Sequence, residues 1–101
     1  MTRGFAISFA QENRNKRNLA MNVPESKDVF DKLLQWADVW IESSKPGMYD
    51  KWGYTDEHVL ELNPKLVVVH VSGYGHFGDP DYVPRPSMDV IGQAFSGLMA
   101  L

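Results

Sequence analysis

Leu66-Val-Val-Val-His-Val71 is the segment that most restricts what this chain can become. Valine is stiff at its first side-chain torsion and favours a pleated backbone. A short continuous apolar run of this kind, without polar alternation, predicts a strand covered on both faces, as in a parallel sheet. The flanking segments agree. Val29, Phe30, Leu33, Leu34 and Ala37 recur at helical spacing, which predicts a helix from about Glu25 to Trp36. Asp38-Val-Trp-Ile-Glu42 then reads as a strand, and Ser43-Ser-Lys-Pro-Gly47 as a turn. A short helix comes next, from about Pro46 to Trp52, and ends at Gly53.

Thr55 is placed to cap the next helix, with Asp56 and Glu57 in its first turn, where the helix dipole favours negative charge. Val59, Leu60 and Leu62 supply its buried side, and Asn63-Pro64 stops it. Residues 72–87 are rich in Gly, Pro and Asp and read as a loop, and a last helix is expected from about Ser87. Leu19 to Val23 reads as a further short strand, with Pro24 at the first position of the helix after it. Residues 1–12 are ambiguous, with a helix end as the reading.

Alternating strands and helices predict an α/β fold. The expected architecture is a three-layer, Rossmann-like partial parallel sheet with flanking helices. Residues 1–101 form a single partial domain. Three strands with open edges suggest that more chain lies beside them. Ligands in such sheets bind outside the carboxyl ends of the strands, here Asn22-Val23, Ser43-Lys45 and Ser72-Gly75.

Composition narrows the function. A net charge of −3, with one short basic cluster at Arg14, Lys16 and Arg17, excludes a nucleic-acid stripe. The absence of cysteine excludes disulfides and thiolate chemistry and fits a reducing cytoplasm. The first residues lack the apolar stretch of about 7–15 that a signal peptide needs, and no run approaches the roughly 18 that span a bilayer. No membrane partner is expected.

Gly73-Tyr-Gly-His-Phe-Gly78 matches the dinucleotide pattern G-x-G-x-x-G after a strand. The next residues, Asp79-Pro-Asp-Tyr-Val-Pro-Arg-Pro86, carry three prolines and two aspartates. They oppose both the helix and the phosphate that the motif requires. An NAD-binding domain is therefore the alternative reading, and a non-catalytic interaction module is another. His70, His76, Asp79 and Asp81 lack metal-ligand spacing, so no metal is expected.

Several segments occur in an order that resembles family III CoA-transferases. They are Asn13-Arg-Asn-Lys-Arg-Asn18, Ala37-Asp-Val-Trp-Ile-Glu-Ser-Ser-Lys-Pro-Gly47, Asn63-Pro-Lys-Leu66, Val71-Ser-Gly-Tyr-Gly75 and Asp89-Val-Ile-Gly-Gln-Ala-Phe-Ser-Gly97. The resemblance is to the carnitine and bile-acid branch in particular. It implies transfer of coenzyme A from a CoA thioester to a free carboxylic acid, through aspartyl-anhydride and aspartyl-CoA thioester intermediates. It also implies a Rossmann-like lobe of a larger chain and interlocked homodimers.

By the same resemblance the nucleophilic aspartate falls beyond the Gln-Ala-x-Ser-Gly segment and outside these residues, so the isolated chain is expected to be inactive. Met21 and Val23 would line the adenine edge. Ser43, Ser44 and Lys45 would sit near the nucleotide, and Lys51 would approach a phosphate. Arg85 would steady a carboxylate or phosphate. Asp89 would be an auxiliary acid, or simply a first-turn residue of the last helix.

Overall fold

The computed structural model describes residues 7–100. Helix α1 spans Ile7–Glu12, α2 Lys27–Trp36 and α3 Met48–Lys51. Helix α4 spans Asp56–Leu62 and α5 Asp89–Phe95. Strands β1 (Val39–Glu42) and β2 (Val67–His70) pair in parallel, with Val39 opposite Val67 and Glu42 opposite His70. Single 3-10 turns occupy Val23–Glu25 and Leu98–Ala100. The parallel α/β arrangement read from the sequence is the one formed.

Two expectations are corrected. Leu19–Val23 is not a strand: the described sheet has two strands, and Val23 opens a 3-10 turn with Pro24 in its first positions. Met21 and Val23 instead turn their side chains onto the core. The run at 66–71 is not covered on both faces either. Val39, Ile41, Val67, Val69 and Val71 lie on one bare side of the sheet, each more than a third exposed. Helices cover only the other side, where Trp40, Glu42, Val68 and His70 project.

The core sits on that covered side. Phe30 and Leu34 of α2, Tyr54, Val59 of α4 and Leu66 are its buried members. Phe30 is met edge-on by Trp40 and Tyr54 and stacked by Tyr49. The third member expected on the buried side of α4, Leu60, is 42% exposed. Thr55 caps α4 as read, its hydroxyl accepting from the His58 amide at 3.3 Å.

Candidate functional site

The carboxyl ends of β1 and β2 open side by side, because parallel pairing directs both chains out of the same edge. The first chain continues into Ser43-Ser44-Lys45 and the second into Ser72-Gly73. The 72–87 loop folds back over them. Gly73 allows this: a β-carbon there would lie 2.0 Å from the Ser87 β-carbon. The loop therefore closes only where residue 73 has no side chain.

The resulting cleft of about 140 Å³ is bounded by Ser43, Ser44, Lys45, Ser72, Arg85 and Ser87. It holds two cations and no carboxylate. The Ser72 hydroxyl is buried and has no hydrogen-bond partner. Arg85 is held in place by its Nε, which donates to the Asp81 carbonyl at 2.6 Å, and by the Tyr82 ring 4.5 Å beneath its guanidinium. A neighbouring cavity of about 450 Å³ shares Ser43, Ser72, Gly73 and Ser87 and reaches Asp89 and Gln93 on α5. Asp89 is in the first turn of α5, exposed, and accepts from Gln93 Nε2 at 2.6 Å.

Of the residues singled out from sequence, the fold thus brings together Ser43, Ser44, Lys45 and Arg85, with Asp89 in the adjoining cavity. Lys51 ends α3, exposed, and does not border the cleft. Met21 and Val23 pack on the core.

A second cluster was not anticipated. Glu42 Oε1 and His70 Nδ1 are 2.7 Å apart, and His70 Nε2 lies 2.9 Å from Asp56 Oδ1. The Ser44 amide donates to Glu42 Oε2 at 2.7 Å. Burial alone raises the Glu42 carboxyl, but hydrogen bonds from His70 and Ser44 outweigh it and hold the group below its ordinary value. Burial alone lowers His70, and its bonds to Glu42 and Asp56 outweigh that and raise it. The His76 ring lies against His70, tilted by 33° with ring centroids 4.4 Å apart. Asp79 and Asp81, grouped with the two histidines in the sequence, are not members of the cluster; Glu42 is. Only strand register could have revealed this, by setting Glu42 opposite His70.

The glycine motif does not form a dinucleotide site. Gly75 and Gly78 have φ of 84° and 133°. Beyond Gly78 the chain runs through a series of turns, and the next helix begins only at Asp89. No helix N-terminus is therefore offered to a pyrophosphate.

Comparison with known proteins places the chain. The sequence model of CoA-transferase family III matches residues 2–101. The bile acid CoA-transferase BaiK of Clostridium scindens is 49% identical over 94 residues, covering 91% of this chain and 22% of that protein. The L-carnitine CoA-transferase of Proteus mirabilis is 44% identical over 88 residues, covering 85% and 22% respectively. A crystal structure of the hypothetical protein Rv3272 from Mycobacterium tuberculosis superposes with a TM-score of 0.76 at 27% identity. That match covers 85% of this chain and 24% of the other. The chain spans about a fifth of the length of the curated relatives it matches.

Proposed function

The chain belongs to CoA-transferase family III, and on that premise we propose that it forms part of the CoA-binding lobe of an enzyme that moves CoA from an acyl-CoA to a free carboxylic acid. Bile acids, carnitine and related acids are the substrate class, in line with the names of the relatives. The observation that carries the reading is the cleft at the strand ends. Lys45 and Arg85 supply positive charge, and the serines supply donors with no competing carboxylate. Phosphates and carboxylates are the ligands such a site favours.

In this reading an aspartate outside residues 1–101 is the nucleophile. Its carboxylate attacks the thioester carbonyl to give an acyl-aspartyl anhydride and CoA thiolate. The thiolate then attacks the aspartyl carbonyl, releasing the first acid and leaving an aspartyl-CoA thioester. The acceptor carboxylate attacks that thioester, expelling CoA thiolate and forming a second anhydride, and the thiolate then attacks the acceptor-side carbonyl to give the new acyl-CoA and free the aspartate carboxylate. Splitting the exchange in this way lowers each barrier. Asp89, exposed and bonded to Gln93, serves as an auxiliary group. Lys51, exposed at the end of α3 and outside the cleft, approaches a phosphate. The full-length protein acts as a cytoplasmic homodimer without a metal in the transfer step.

Titration of CoA into the chain, followed by amide NMR shifts, tests this. Weak binding is expected, with shifts at residues 43–45, 72–73 and 85–87. Lys45→Ala and Arg85→Ala should each weaken it about tenfold, or ~1.4 kcal/mol. Binding unchanged by both substitutions overturns the assignment of the cleft. Acyl exchange catalysed by the isolated chain would overturn the placement of the nucleophile.

A further inference from the structure

We propose that Glu42, His70 and His76 bind one divalent transition-metal ion of the zinc class at the open end of the two strands. The three ligands lie outside the cleft proposed for CoA, although Lys45 borders both cavities.

Each of the three residues offers one ligand atom, and these atoms all lie within 4.8 Å of one another. Glu42 Oε1 is 2.7 Å from His70 Nδ1 and 3.6 Å from His76 Nε2. Zinc bonds of about 2.0–2.1 Å in a tetrahedral site set ligand atoms roughly 3.3 Å apart. The carboxylate-to-His76 spacing is near that value already. The carboxylate-to-His70 spacing is that of a shared proton, and it opens by about half an ångström when a cation replaces the proton.

His76 Nε2 is buried and has no hydrogen-bond partner. A ring nitrogen in that condition calls for an occupant of the space before it, and here that space faces a carboxylate whose side chain is 4% exposed.

The outer partners that metal ligands usually need are also in place. His70 points its other nitrogen at Asp56 Oδ1, 2.9 Å away. That carboxylate would accept a hydrogen bond from Nε2–H, fixing the tautomer whose Nδ1 lone pair is free to ligate. The second oxygen of Glu42 is fixed by the Ser44 amide. Two imidazoles and one carboxylate form a donor set suited to zinc rather than to magnesium or calcium. The fourth position opens into a cavity of about 220 Å³, which Lys45, Tyr49 and Asp50 also line. A water fits there.

The chain has three histidines, His58, His70 and His76, so their ring resonances report the site directly. Zn²⁺ is titrated into the chelator-stripped chain and followed by imidazole NMR, with Co²⁺ absorption as a check on coordination. The His70 and His76 signals should move together and saturate at one equivalent, while His58 stays in place. His76→Gln should weaken Zn²⁺ binding at least tenfold. Asp56→Asn, at an exposed outer partner, should weaken it about tenfold with the stoichiometry kept. His58→Gln should change nothing. No shift at tenfold excess Zn²⁺, or movement of all three histidines alike, overturns the site. So does an affinity indifferent to both His76→Gln and Asp56→Asn; the second variant serves if the first disturbs the loop.

Discussion

Tyr54, in the loop before α4, is tied to α2 through one side chain. It is 3% exposed, its ring meets Phe30 edge-on, and its hydroxyl donates to Asp31 Oδ1 at 2.7 Å. Burial first, and then the Asp31 carboxylate, push its phenol well above the ordinary value. A group whose folded pKa is raised contributes stability that is complete below its unfolded pKa and is lost as pH climbs toward the folded one. The thermal midpoint should therefore fall steeply above about pH 10, the unfolded value for tyrosine. Tyr54→Phe should flatten that fall and cost about 1–2 kcal/mol at neutral pH, seen in urea unfolding. Gly73 makes a second test. Gly73→Ala sets its new methyl against Ser87 and should cost about 1–3 kcal/mol. Adding Ser87→Gly should recover most of it, a coupling that a double-mutant cycle measures. Single residues were also where the sequence was least informative. Thr55 announced its cap, because capping is local. Glu42 lies 28 residues before His70 and joins the two neighbouring histidines only through register and loop folding, so no spacing pattern marks it.

Helices and strands were legible where their signal was long. The spaced apolar residues of α2 gave its extent, and Phe30 and Leu34 from that pattern are buried. The five-residue stretch Leu19–Val23 misled because a strand that short exists only if another strand accepts it, and Pro24 turns the chain away. Asn63 was read as a stop for α4 and proves to terminate α2 as well. Its Nδ2 donates to the Leu34 and Ala37 carbonyls, each at 2.9 Å. Leu34 lies in the last turn of α2, where a carbonyl has no partner within the helix. Asn63→Ala should cost about 1–3 kcal/mol, with faster hydrogen exchange in the last turn of α2. Val59→Ala, at the 0% exposed contact of α4, should cost about 2 kcal/mol by leaving a cavity. Calorimetric unfolding of the two variants separates a lost cap, which loosens α2 locally, from a lost core contact, which lowers the whole transition.

The whole molecule is more extended than its length requires. Its radius of gyration is 16.7 Å, against about 13 Å for a compact domain of this size. One side of the sheet is bare and valine-rich, and exposed apolar area on that scale is unusual for a protein that works alone. It should bind a hydrophobic dye such as ANS, and Ile41→Lys with Val69→Lys should cut the fluorescence severalfold without changing the circular dichroism. Alternation of strand and helix predicted the parallel pair, but the apolar run at 66–71 was read as covered on both faces, and one face is bare. The pairing of Glu42 with His70 across the two strands bears on assembly itself. Val67, Val68 and Val69 are interchangeable to apolar packing, so grease alone would permit a slipped alignment. A slip of one residue turns every side chain of β2 to the opposite side. It would strand the Glu42 charge indoors without its cation, a penalty of several kcal/mol. The same carboxylate and imidazole that hold the site together therefore act as a proofreader, rejecting misaligned copies of the fold before they can persist.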